Sequence, residues 1–348
     1  MRRRLWVLLT ALLLAVIIGD FVVWKLAVQR MQSGLADWIA ANRATGWSVT
    51  TTAPETGGWP LAATLTLRDV AVSGGEPAIP GGLAWRADRA VVHLDLFHPL
   101  VLRIEAEGAQ HLRVADAPDI AYSAGRLHLL VPLRFDPSAP ALDLQAEALR
   151  ASIPFAGGDD TLTIDRLDLD TVLHPAATQA QASVSIAAKA DGIGLPTRVK
   201  WALGGQIASV VIDAALNGAL PTAAGLTANA TKWRDDGGSL DVQRLQTQWG
   251  PLGLTASAKL ALDPQMQPMG TGTAKVAGYA ATLDAMARNR LMSRSAATSA
   301  KAVLSLLANA PDDGSPSEVE VPLSLQYRTL SMRQVPLVRL PELDWPPQ

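Results

Sequence analysis

The chain has no cysteine. Disulfide scaffolds, thiolate nucleophiles and cysteine-based metal sites are therefore excluded. Basic charge is not in excess either: 30 Lys and Arg stand against 32 Asp and Glu, for a net charge of −2. Binding nucleic acid by phosphate neutralisation needs the opposite balance, so no nucleic-acid partner is expected. Only 18% of the 348 residues are charged and 49% are hydrophobic, which argues against a disordered chain. Phe and Tyr are scarce, four and three, against ten Trp. Catalytic signatures are missing too. No HExxH, GxSxG, SxxK, GxGxxG or phosphate-binding loop occurs. His93 and Asp95 share a polar strand face, and a solvated face explains them better than an acid–base pair. His111 and His128 fall short of the three or four ligands that zinc takes. Asp165, Asp168 and Asp170 have no calcium-loop spacing. The expectation is a non-enzyme without cofactor or metal.

What the sequence does have begins at its N-terminus. Arg2, Arg3 and Arg4 precede an apolar run from Leu5 to Gly19, which resumes after Asp20. A helix from Leu5 to Trp24 would rise roughly 30 Å, the thickness of a bilayer's hydrocarbon core. Leu5, Trp6, Leu8, Leu12, Val16, Ile17, Phe21 and Trp24 are the expected membrane-anchor residues, with an indole at each interface. The arginines before the span outnumber Lys25 after it, which favours a cytoplasmic N-terminus. A cleaved signal peptide is the competing reading. It is disfavoured because no small-x-small site follows Leu14 closely and the helical pattern runs on. Trp24, Val28, Met31, Leu35 and Trp38 recur on one helical face, and Asn42 and Gly46 are stop signals. The expected organisation is an anchor over 1–24, an amphipathic helix and linker over 25–46, and a β-rich domain over 47–348 with a candidate junction near 191–196.

From Leu61 onward the dominant period is two. Leu61 to Leu67, Ala90 to Leu96, Leu100 to Ala106, Leu127 to Phe135, Val184 to Ala188, Leu252 to Leu262 and Val319 to Tyr327 each alternate apolar with polar. Such runs are strands with one buried and one wet face. Leu162 and Ile164 give way to Leu167 and Leu169, which predicts a bulge or a break there. Only Tyr279 to Ala308 reads as further helix, in two pieces. About a dozen strands then face about three helices outside the membrane, too few to cover them. The sheet must curl or fold onto itself, and its interior is either a closed core or an apolar groove. Leu129, Val131, Leu133, Leu254, Leu260, Val321 and Leu323 are the candidate groove-lining residues. The fold expected is mainly β: an N-terminal transmembrane helix and a large curved antiparallel sheet folded on itself, with a few α-helices.

Several turn and packing signatures point to a family. Gly57-Gly58-Trp59-Pro60-Leu61 opens a strand behind the anchor. Trp233-Arg234-Asp235-Asp236-Gly237-Gly238-Ser239-Leu240, Trp249-Gly250-Pro251-Leu252 and Val335-Pro336-Leu337 come late. Together they resemble the bacterial family called domain of unknown function 2125, over nearly the whole chain. More distantly, the layout is similar to AsmA-type envelope proteins. That resemblance implies a single-pass inner-membrane protein with a periplasmic body that binds or shields an apolar envelope component such as lipid. The alternative is a structural or interaction module with a closed core and protein partners only.

Overall fold

The computed structural model describes residues 2–75, 82–115, 117–133, 141–155, 158–174, 177–178, 181–221, 225–308, 318–332 and 335–345. It begins with a single helix, α1 (Arg2–Ala44). Forty-three residues span about 65 Å, roughly twice a bilayer core. The first half leaves Trp6, Leu12, Val16, Ile17 and Phe21 exposed; the side chains of Leu5 and Leu8 lie outside the described residues. The second half lies along the sheet. Trp24, Ala27, Val28, Met31 and Leu35 pack on Ala63, Leu65, Leu94, Val92 and Leu102. Val28 and Leu65 are 2% and 1% exposed, so each contributes on the order of 1.5–3 kcal/mol of apolar burial. Trp38 is not part of this contact and is exposed; a 3.6-residue period carries the stripe past it to half-buried Ile39. The helix ends where Thr45 and Trp47 donate their N–H groups back to the Asn42 carbonyl and Gly46 takes a positive φ.

The strands that follow are β1 (Ser48–Thr50), β2 (Glu55–Gly57), β3 (Ala62–Gly74), β4 (Leu83–Asp95), β5 (Val101–Val114), β6 (Ile120–Ser123), β7 (Arg126–Pro132), β8 (Leu142–Phe155) and β9 (Gly158–Leu173). Next come β10 (Ala182–Gly194), β11 (Gln206–Asn217), helix α2 (Leu226–Asp235), β12 (Ser239–Trp249), β13 (Leu252–Leu262) and β14 (Pro268–Ala277). Helices α3 (Tyr279–Arg288) and α4 (Arg294–Leu307) precede β15 (Glu318–Gln326), β16 (Thr329–Met332) and β17 (Val335–Arg339).

Every pairing is antiparallel, and the residue registers form a meander. β1 and β2 share the outer edge of β3. From β3 each strand pairs with the next to β5, and β6 and β7 occupy one position between β5 and β8. The meander then continues from β8 to β17. Gly192 to Pro196, the candidate junction, forms the end of β10 and its exit turn, and pairing runs through it from β9 to β11.

Helix α2 is an addition to the sequence reading, which took Asp235-Asp236-Gly237-Gly238 as a turn and no helix before it. It has no buried residue and no side-chain N-cap, so it carries no periodic signal. It is held by Trp233, whose indole donates to the Asn217 carbonyl. Trp24, Trp201, Trp249 and Trp345 likewise donate to the carbonyls of Gly57, Pro196, Gly204 and Met266. The tryptophans act as clasps at strand ends, where a large ring and one N–H donor are both used.

Candidate apolar binding face

One row of the sheet shows how the alternation adds up. Following the registers from strand to strand, Leu65 faces Val92, then Ile104, Leu129, Leu144, Leu169, Ala188, Ile212, Leu245, Ala256, Ala274 and Val321. Twelve strands place an apolar side chain on the same face. At about 4.8 Å per strand the row runs roughly 50 Å along the sheet. The opposite face is wet. Arg89 pairs with Glu107, Arg126 with Glu147, Arg244 with Asp213 and Lys275 with Glu320, each directly across a ladder. Such exposed pairs add only about 0–1 kcal/mol each. Their value is that charged partners sit opposite one another on this face, so a one-residue slip would put them on the apolar side.

Helices cover the two ends of this face. At the first end α1 sits on β3 and β4. At the last, Tyr279 of α3 and Leu304 of α4 pack over Leu254, Ala256, Ala274, Val319, Val321 and Leu323. Among the described residues the buried clusters lie at these two ends and none forms on the middle strands. There Leu129, Leu144, Leu169, Ala188, Ile212 and Leu245 are half-buried, neither sealed nor fully in water. The candidate groove residues divide accordingly. Leu129 and Val131 lie on the uncovered stretch, Leu260 is half-buried along β13, and Leu133 is exposed at the sheet's end. Leu254, Val321 and Leu323 lie under the second lid. Phe135, expected to continue the β7 run, lies outside the described residues. The accessible surface is 21336 Å², more than half again the roughly 13,500 Å² of a compact monomer of this mass.

A crease crosses the sheet and bends this face. In β3 the apolar parity switches from Leu67 to Val70, with Asp69 at φ 51 between them. In β8 it switches from Ala146 to Leu149 around Ala148, also at φ 51. In β9 it passes from Ile164 to Leu167, where the sequence predicts a bulge or a break, and in β10 from Ala190 to Ile193. The registers set these irregularities side by side: Asp69 lies opposite Asp88, Gly108 meets Asp88, Ala148 lies opposite Asp165, and Asp165 opposite Gly192. Gly192 has φ 63, and a Cβ there would run into the Asp165 carboxylate. Asp88 accepts the Ala109 N–H at 2.9 Å, tying the crease across β4 and β5. Aligned bulges sharpen twist and bend a sheet.

Next to the crease sits a polar group that the sequence reading passed over. Gln110 is 0% exposed, on the apolar face between Ala87 and Tyr122, and neither its Oε1 nor its Nε2 has a partner. The even-numbered apolar parity of β5 places it inward, so a polar residue at a core position was the available signal. Trp85 donates its indole N–H to the Tyr122 hydroxyl at 2.8 Å, and burial raises the Tyr122 pKa.

The other singled-out polar residues are dispersed on the wet side. His93 does not meet Asp95; its Nε2 lies 3.6 Å from Glu105. Asp95 instead accepts the Phe97 N–H and faces His98 Nδ1, and these bonds, the backbone one foremost, hold its pKa below the ordinary value. His111 contacts Asp119, and His128 contacts Gln145. Asp168 pairs with Arg166. Asp170 stands opposite Asp143, and burial, followed by the charges of Asp143 and Asp168, raises its pKa. The described residues hold no group of three or more His, Asp or Glu arranged for a metal ion.

Among the described residues one helix is long and apolar enough to cross a membrane, with a mean hydropathy of 2.2. Residues 24–341 match the profile of a bacterial family described as an uncharacterised protein conserved in bacteria (DUF2125). No curated protein and no solved structure matches, so the distant likeness to AsmA-type proteins gains no support from these comparisons.

Proposed function

We propose, for a chain that belongs to the DUF2125 family of bacterial proteins, a non-catalytic role: holding an apolar component of the cell envelope, lipid foremost, on the uncovered stretch of its sheet. One observation carries this reading. A single apolar face runs through twelve strands while helices cover only its two ends. Half-buried aliphatic rows without a lid leave apolar area that another apolar group would remove from water, at about 25 cal/mol per Å². The N-terminal half of α1 supports placement at a membrane, and the arginines before it support a body on the far side from the cytoplasm, the periplasm of a bacterial inner membrane.

The test is photo-crosslinking of the full chain in cells. A crosslinking amino acid at Leu169 or Ile212 should capture lipid, seen as a phosphorus-containing adduct by mass spectrometry; one at Lys189, on the wet face, should not. If Leu169 and Ile212 capture only protein, the lipid reading fails and the face belongs to an assembly module. The free edge of β17, where every residue is exposed, is then the natural second contact.

A further inference from the structure

From β3 to β7 the two ends of the strands differ in chemistry; farther along the meander the same end carries α2 with its charged Lys232, Arg234, Asp235 and Asp236. α1 runs alongside β3, with Trp24 bonded to Gly57 at one end and the helix terminus beside Gly74 at the other, where Trp47 packs. At the Trp24 end, the β2–β3 turn, the β4–β5 turn and the end of β7 come together. Leu96 donates its N–H to the Leu61 carbonyl, and Leu133 to that of Leu100. These segments, 57–61, 96–101 and 132–133, contain no Lys, Arg, Asp or Glu; His98 is their one titratable residue. They expose Trp59, Leu61, Phe97, Leu100 and Leu133, with Phe97 at 74% and Leu61 at 64%. The opposite strand ends and connections are charged, carrying Asp119, Asp159, Asp160, Arg198 and Lys200. The apolar rim also touches the helix: the rings of Phe21 and Trp59 stand edge to face with centroids 6.3 Å apart. Phe21 and Trp24 are where the stretch long enough to cross a bilayer ends.

We infer that this rim is seated in the same bilayer that α1 enters, so that β3 to β7 stand end-on at the membrane and the apolar face beside them opens onto lipid. Large apolar side chains exposed together, on an edge whose one carboxylate, Asp95, is tied back to the Phe97 N–H and to His98, are costly in water. Indole and phenyl rings beside a membrane-spanning segment are stabilised at the interface. The bilayer is the occupant the structure favours, because the rim is continuous with the apolar helix through Phe21, Trp59 and the Trp24–Gly57 bond. The inference deepens the lipid-holding reading and rests on it for the meaning of the opening: an acyl chain could pass from the leaflet onto Val131 and Leu129 without crossing water.

The absence of cysteine makes the test direct. Single-cysteine full-length variants F97C, L61C, V16C and V199C are labelled with a polarity-sensitive nitrobenzoxadiazole probe. Each is reconstituted in phosphatidylcholine–phosphatidylglycerol vesicles with or without doxyl-labelled lipid, and circular dichroism confirms its β content. V16C reports the anchor and V199C the charged end. The expected result is blue-shifted emission and doxyl quenching for V16C, F97C and L61C, and water-like, unquenched emission for V199C. Quenching of V16C with water-like F97C and L61C overturns the rim while leaving the lipid-holding face to its own crosslinking test. Water-like emission from V16C as well overturns both anchor and rim.

Discussion

Two residues sit unfavourably in the fold, and each makes a measurable prediction. Gln110 buries an amide with no partner, and leaving such a group unsatisfied costs about 1–3 kcal/mol. Gln110→Met keeps the volume and removes the polar atoms, so chemical denaturation should show a gain of about that size. A loss would mean that the amide is satisfied in the folded protein. Asp170 has its pKa raised by burial and by two neighbouring carboxylates. A carboxyl with a raised folded-state pKa favours folding while protonated, and that contribution is lost as pH rises through the folded value. Asp170→Asn should therefore raise the melting temperature at pH 7, by on the order of 1 °C given its exposure. The difference should vanish below about pH 3, where both states carry the protonated acid. Asp95 behaves in the opposite sense: its bonds to Phe97 and His98 stabilise the β4–β5 turn above the ordinary carboxylate range and are lost as pH falls through its lowered value.

At the scale of elements, the crease and the α1–β3 contact do the shaping. Gly192→Ala places a Cβ against Asp165 at a positive φ. The backbone cost alone is roughly 1–2 kcal/mol, and Asp165→Ala in the same chain should recover part of the remainder. If Gly192→Ala melts like the parent, the crease is not held by this contact. Leu65→Ala removes a 1% exposed side chain from beneath Val28 and should cost about 2–5 kcal/mol in chemical denaturation. Elements also differ in how far they could be foreseen. α3 and α4 were legible from their spacing and from Ser293 and Ser295, either of which suits a helix cap; Ser293 is the one that caps α4, by accepting the Ala296 N–H. α2 was not, because it has no buried side chain and is held from outside by Trp233.

For the whole molecule, the consequence of two lids on one long sheet is uneven stability. Strands under a helix open only when the packing breaks, whereas uncovered strands rely on their ladders. Amide hydrogen exchange should be slowest in β3, β4, β14 and β15 and faster in β8 to β11, with protection rising in β8 to β11 when lipid is present. Uniform protection along the meander would contradict a face covered only at its ends.

The sequence alone determined the local conformations, because period two and period 3.6 are properties of neighbouring residues. It specified the apolar helix with its stop at Asn42 and Gly46, the wet and oily sides of β3, β4, β5, β7, β10, β13 and β15, and the break in parity between Ile164 and Leu167. It did not determine which strand neighbours which, so it could not show that separate slips align into one crease. Nor could it show that His93 turns to Glu105 rather than Asp95, or that Gln110 is sealed inside. Whether the oily side is covered was likewise decided only by tertiary structure, since cover depends on where α3, α4 and half of α1 come to rest. They rest at the two ends.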